Sequence, residues 1–265
     1  MAKRKNPKGI RPLRKDERAY EKAIKTNILN PLLATTRDRL ASVPQIKTAY
    51  ANTVAAVFEE FDIDAESAVV VGGYIDGLRR SQKARMAIQF QAALGVDVGP
   101  ALTDLAIRPL MDQAIATNIN LIKSIPDNLK GQVLDQFDTL LAKAPFDQQA
   151  MVGALEDRFK VAGNRARTIA RDQTGKIVGN LNEARQGQLG IKSYTWQTSE
   201  DERVVGTPGG EFPDGNDVHG NHFDRNGKEF LWSQPPFDGH PGEPINCRCI
   251  AIPVIPELQE EEQAA

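Results

Sequence analysis

Cysteine and histidine are scarce in this chain: of 265 residues, two are cysteine and three are histidine. The cysteines are Cys247 and Cys249, so thiol chemistry is confined to the neighbourhood of the C-terminus. A disulfide framework of the kind that staples small secreted domains is excluded, and a bond between these two would close a very tight ring. Long apolar runs are missing as well. None approaches the roughly 20 residues needed to cross a bilayer. The basic N-terminus lacks the apolar segment and cleavage site of a signal peptide, so the chain is expected in a cytoplasm or in something assembled there, with no membrane partner. A phosphate-binding loop is also absent. The glycines between 206 and 220 have neither a preceding strand nor a following helix, and no Lys-Ser/Thr pair follows them, which excludes an ATPase. There is no internal repeat.

Net charge is small, −2 from 33 basic and 35 acidic residues, yet its placement is uneven. The opening from Lys3 to Arg18 is rich in Lys and Arg, whereas Glu257 to Glu262 is acidic. Lys3, Arg4, Lys5, Lys8, Arg11, Arg14 and Lys15 are candidate phosphate contacts, each of which would make DNA binding fall with added salt. The same residues also read as a solvated, mobile tail. A hydrophobic content of 40% is enough for a real core, in one large domain or two modest ones.

Helical periodicity governs the first two thirds of the chain. Tyr20, Ala23, Ile24 and Ile28 recur at helical spacing before Pro31, which marks a kink or restart, and Ile46, Tyr50, Val54, Val57, Phe58 and Phe61 form a stripe after Pro44. Asp64, with Ser67 as second choice, caps a helix carrying Val71, Ile75, Leu78, Met86 and Phe90, ended by Gly95 and Gly99–Pro100. Leu105, Ile115, Ile119 and Ile122 begin a stripe predicted to stop at Pro126. Asp127 or Asn128 then caps a helix with Val133, Phe137, Leu140 and Leu141 facing inward, closed by Pro145. Asp147 caps a short helix with Met151, Leu155 and Phe159. Gly163 is expected to separate it from a polar helix, Asn164 to about Gln186, whose inward face is Ala166, Ile169, Ala170, Gln173, Ile177 and Leu181.

The pattern changes at Gly187 and Gly190, which read as helix stops. Ile191, Tyr194 and Trp196 belong to a strand, and Phe230–Trp232 and Cys249–Val254 are two more. The fold class is therefore α+β: a mostly helical N-terminal region followed by a small C-terminal domain of helices packed on a short, largely antiparallel sheet. The segments are a basic mobile tail at 1–18, a helical region at 19–145, a C-terminal domain at 146–256 and an acidic tail at 257–265.

Several readings compete for the C-terminal polar residues. Cys247, Cys249, His222 and either His240 or His219 supply a soft and borderline ligand set suited to tetrahedral zinc. With one residue between them, both sulfurs share a face of an extended chain, while Arg248 points the other way, toward Asp201 or Asp224. The alternative is that both cysteines simply pack a small core. A nucleophilic thiol activated by His222 or His240 and oriented by Asp201 or Asp224 is a further option, without any local signature of a cysteine enzyme. Asp201 and Glu202 beside Arg203 read as a salt bridge that pins the loop, or as an acid–base pair. Trp196 and Trp232 read as core anchors.

One set of blocks is more specific. Arg167 to Arg171 on the polar helix are followed by Tyr194 and Trp196, then Asp201, Arg203 and Val204. Next comes His222 with Gly227 five residues on, and finally Pro244 with Asn246, Cys247, Arg248 and Cys249. In order and rough spacing this resembles the Mu F-like minor head proteins of tailed phages, over about residues 100 to 255, with Asn118 to Pro126 similar to that family's helical lead-in. The family motif residues are thus Trp196, Asp201, Arg203, His222, Gly227, Asn246, Cys247, Arg248 and Cys249. The loop between Val204 and His222 is longer than the family pattern and contains the extra His219. The resemblance implies a minor capsid protein without enzymatic activity, in the head interior or portal region of a virion assembled in the host cytoplasm. Its implied partners are the portal protein and other head proteins, with a role in head assembly, genome packaging or DNA delivery and with packaged double-stranded DNA as a further contact. The competing class is a metal-dependent hydrolase or toxin-like effector with a Cys/His site.

Overall fold

The computed structural model describes residues 6–143, 146–215 and 220–255. Helices α1 (Arg14–Ile24), α2 (Asn30–Ser42), α3 (Lys47–Glu60), α4 (Ile63–Leu94), α5 (Arg108–Lys143) and α6 (Gln148–Gln188) precede strands β1 (Ser193–Gln197), β2 (Glu229–Leu231) and β3 (Ile250–Pro253). The protein is α+β, as its sequence predicts. Among the described residues no helix is long and apolar enough to cross a membrane.

Two compact units interleave along the chain: one comprises residues 17–74 and 114–170, the other residues 1–16, 75–113 and 171–265. The first is helical and apolar inside. Tyr20 stacks on Tyr74 at 3.9 Å between ring centroids and donates its hydroxyl to Asn118 Oδ1 at 2.9 Å. Tyr50 packs against Phe137 and Phe146, and Val54, Val57, Ile122, Leu129, Val133 and Leu155 are buried. Pro31 does not restart the helix: the backbone stays helical through a single π-helical turn, Lys25–Leu29, which joins α1 to α2, with Asn30 N–H bonded to Lys25 O and the proline lying just beyond that turn.

Three sequence expectations fail here for the same reason. Pro126 does not end a helix but lies inside α5, so Asp127 and Asn128 are not caps. Gly163 does not split α6, which runs unbroken for 41 residues. An interior proline costs about 3 kcal/mol and a glycine about 1 kcal/mol, whereas each fully buried aliphatic side chain contributes about 1.5–3 kcal/mol. Ile122, Ile125, Leu129 and Val133 are all buried across Pro126, as are Phe159, Ala162, Ala166 and Ile169 around Gly163, so tertiary burial outweighs the local penalty. The cap of α4 is Asp62, whose Oδ1 accepts the Ala65 N–H at 3.0 Å, rather than Asp64 or Ser67. Leu105 is exposed and precedes α5 instead of joining its stripe. Asp147 caps α6 as expected, accepting from the N–H groups of Gln149 and Ala150. Pro145 lies outside the described residues.

In the second unit the predicted inward positions Gln173, Ile177 and Leu181 of α6 are buried, with Ile75, Leu78, Met86 and Phe90 of α4. The sheet has order β2-β1-β3 and is wholly antiparallel, with Tyr194 opposite both Phe230 and Pro253. Within the segment read as a mobile tail, Pro7, Gly9 and Ile10 are buried, and Asn182 Nδ2 donates to Ile10 O at 2.9 Å. A side chain at Gly9 would stand 2.8 Å from Ala251 O. The acidic tail lies outside the described residues.

Candidate metal centre

Helix α6 provides the floor of the site. Gly175 and Gly179 stand four residues apart, hence on one face, and leave a groove for the returning chain. A Cβ at Gly179 would lie 2.6 Å from Pro241 O, and one at Gly175 would lie 3.0 Å from Cys247 O. From the same helix Asp172 Oδ1 accepts the Asn246 N–H at 2.8 Å, and Arg171 Nε donates to Asn246 Oδ1 at 3.0 Å. Asn246 is thereby held at φ +56°, a left-handed conformation that asparagine tolerates better than most residues. The chain that leaves it turns both Cys247 and Cys249 inward, at 9% and 4% exposure. Arg248 points the other way and pairs with Asp201, not Asp224. Asp201 also accepts the Arg203 N–H at 3.1 Å, and Asp224 bonds to Asn221 instead.

His222 arrives from the opposite side, immediately before the short 3₁₀ turn Phe223–Arg225. Its Nδ1 lies 3.7 Å from Cys247 Sγ and 3.5 Å from Cys249 Sγ, and its Nε2 lies 2.9 Å from Asp238 Oδ2. Trp196 packs edge-on against the imidazole at 5.1 Å. Gly227, at φ +78°, turns the chain back so that its N–H donates to Trp196 O at 2.8 Å. Both cysteines also belong to the apolar cluster formed with Tyr194, Trp196 and Ala251, flanked by Phe230 and Trp232, so the core-packing reading of the thiols and tryptophans holds alongside the polar one.

The three donor atoms lie within 4.8 Å of one another. Around a tetrahedral zinc with S and N bonds of about 2.3 and 2.0–2.1 Å, a nitrogen and a sulfur stand about 3.6 Å apart, and the two observed separations bracket that value. Trp196 Nε1–H is buried beside this cluster and faces Cys249, where it favours a thiolate against the larger opposing effects of Cys247 and burial. The donor set, two soft sulfurs and an imidazole, therefore fits a thiophilic metal such as zinc.

Electrostatics of the cluster drive its two thiols apart. Cys249 donates toward Cys247, and His222 adds its field, so Cys247 titrates well below an ordinary thiol against the opposing effect of burial. Cys249, next to that thiolate and buried, titrates well above. Burial alone would depress His222, but Cys247 and Asp238 hold it above its ordinary value.

His240 is not part of the cluster, which corrects one of the sequence-based ligand choices. Its Nδ1 meets Tyr194 Oη at 2.9 Å and its Nε2 faces Trp232 O at 3.2 Å, so both ring nitrogens are committed. His219 lies outside the described residues, as do Lys3, Arg4 and Lys5. Lys8, Arg11, Arg14 and Lys15 are exposed. A cavity of about 460 Å³ opens onto His222, Cys247 and Cys249, lined further by Arg171, Asp201, Arg203, Glu211, Phe212 and Arg248. Sequence reasoning missed Asp238, Asp172 and the two glycines of α6. The Gly175–Gly179 spacing was a readable signal of close backbone approach, whereas nothing local marks Asp238.

No family model matches the chain, and no solved structure does. A protein of Haemophilus influenzae, described only as uncharacterized, is 29% identical over 203 residues, covering 75% of this chain and 41% of its own length. The chain thus spans about two fifths of that relative.

Proposed function

We propose that the protein is a minor head protein of a tailed phage, a non-enzymatic component that works through protein surfaces in the prohead, with the portal protein as its principal partner. In this reading His222, Cys247 and Cys249 hold a zinc ion that braces the C-terminal module. One observation carries it: the residues of the Mu F-like resemblance, scattered from Arg171 to Cys249, meet at a single centre through Arg171–Asn246, Arg248–Asp201, Gly227–Trp196 and His222 with both cysteines. Scattered motif residues that were unrelated would have no reason to converge. Co-expression of the full chain with the portal protein of the phage that carries it tests the reading. Retention of the chain on tagged portal protein is expected, and its absence, with both proteins folded, overturns the assignment.

The exposed Lys8, Arg11, Arg14 and Lys15 would add contact with packaged DNA. Because Ile10 is buried, truncation of the segment would disturb the fold, so replacement of the four by Gln is the cleaner variant. It should flatten the salt dependence of nonspecific DNA binding, each lost phosphate contact lowering the slope by about 0.9.

A second reading, a metal-dependent hydrolase, is favoured by one feature: the cavity opens directly onto the three donors. Hydrolysis of ester or amide substrates by zinc-loaded protein, at a rate that rises in proportion to bound zinc, would select it over the first.

A further inference from the structure

Resting on the metal-centre reading above, we infer that Asp238 is the positioning residue of the site: it fixes the tautomer and ring angle of His222 so that the Nδ1 lone pair faces Cys247 and Cys249. An imidazole that binds a metal through one nitrogen carries its proton on the other, and the group that accepts this proton decides which nitrogen is free. Here Nε2 meets Asp238 Oδ2 at 2.9 Å. A carboxylate accepts and does not donate, so a proton belongs to Nε2, and the nitrogen that can present a lone pair to a metal is Nδ1, on the side where the two sulfurs stand at 3.5 and 3.7 Å.

Asp238 is itself held. Its side chain is 2% exposed, and its second oxygen accepts Arg225 Nη1 at 2.7 Å. The Arg225 guanidinium lies 4.9 Å over the Trp196 ring, the same ring that packs against His222. Arg225, Asp238, His222 and Trp196 thus form a closed circuit around the imidazole. A buried carboxylate needs a partner charge, and Arg225 provides it. This leaves Oδ2 for His222 without requiring a charged imidazole.

Cobalt(II) is a usable probe because its absorption reports thiolate ligation and tetrahedral geometry directly. Full-length protein with the wild-type sequence should bind Co²⁺ with a thiolate charge-transfer band. Asp238→Asn, free to turn its amide N–H toward Nε2 and so favour the wrong tautomer, should bind roughly 10–100-fold more weakly. In zinc-loaded wild-type protein, nitrogen-15 spectra should place the His222 proton on Nε2. His240→Gln separates positioning from general support, because it removes a buried polar group of the same module, bonded to Tyr194 and Trp232, that lies outside the cluster. Its Co²⁺ affinity should stay within about threefold of wild type, a change well short of the loss expected when the orienting partner itself is removed. A wild-type band with unaltered affinity in Asp238→Asn overturns this inference and leaves the metal centre standing. Equal losses in Asp238→Asn and His240→Gln also overturn it, by reducing Asp238 to general support of the module. No band in wild-type protein overturns the metal centre, and this inference with it.

Discussion

The two units of the molecule are held by different forces. The unit of residues 17–74 and 114–170 is stabilised by stripes of apolar side chains on long helices. Among its described residues, the segment from Ser193 to Val254 has 12 in strands, five in β1, three in β2 and four in β3. Its form depends on particular polar pairs, on glycines that admit backbone, and on the His222–Cys247–Cys249 centre. Burial spread over a helix degrades gradually when a residue is changed. A centre that joins segments 25 residues apart fails all at once.

Metal removal is the strongest way to break this comparison. Structural zinc contributes on the order of 10 kcal/mol to small zinc-dependent modules, more than any one side chain of the helical unit can. Treatment of the metal-loaded protein with chelator, or Cys247→Ser, should remove hydrogen-exchange protection from residues 193–254 while residues 17–74 and 114–170 keep theirs. Loss in both units together would show that the distinction is false. Because the thiols must deprotonate to bind, the affinity should also weaken as pH falls.

The reciprocal test sits in the helical unit. Phe137 is buried against Tyr50, with ring centroids 6.3 Å apart. Phe137→Ala should cost about 3–5 kcal/mol in urea unfolding and leave Co²⁺ affinity unchanged.

The same contrast explains what the sequence made legible. Apolar period reports burial, so Tyr50, Val54 and Val57 of α3 and Ala166, Ile169, Gln173, Ile177 and Leu181 of α6 were readable as inward positions, and all are buried. Helix punctuation was less readable. Pro126 and Gly163 impose local costs that only tertiary packing could outweigh, and that packing has no local signature. At the centre, the candidate donors followed from residue type and the shared face of Cys247 and Cys249 from their spacing, although one intervening residue is fewer than structural zinc sites commonly use. The choice among histidines did not: it depends on Tyr194 and Trp232 occupying His240, a fact of three-dimensional neighbours 46 and eight residues away. Asp238 was invisible for the same reason, since its partners His222 and Arg225 lie 16 and 13 residues distant.

The finest discrimination comes from one substitution made twice on one helix. Gly153 and Gly179 both lie within α6, one in each unit. Glycine to alanine inside a helix ordinarily stabilises by about 0.5–1 kcal/mol, because the unfolded chain loses freedom it would otherwise recover. At Gly153 a Cβ meets nothing within 4 Å, so Gly153→Ala should deliver that gain in full. At Gly179 the same methyl would stand 2.6 Å from Pro241 O, a backbone atom that can yield only if the Pro241–Cys247 strap moves. Forced overpacking of this kind costs about 1–3 kcal/mol, which exceeds the helical gain and reverses the sign. Displacement of the strap would also carry Cys247 away from His222, so Gly179→Ala should weaken Co²⁺ binding as well as lower stability, whereas Gly153→Ala leaves the metal untouched. Two stabilising outcomes would mean that the strap is not seated on α6 in solution. A destabilised Gly179→Ala with full metal affinity would mean that the strap and the centre are mechanically separate.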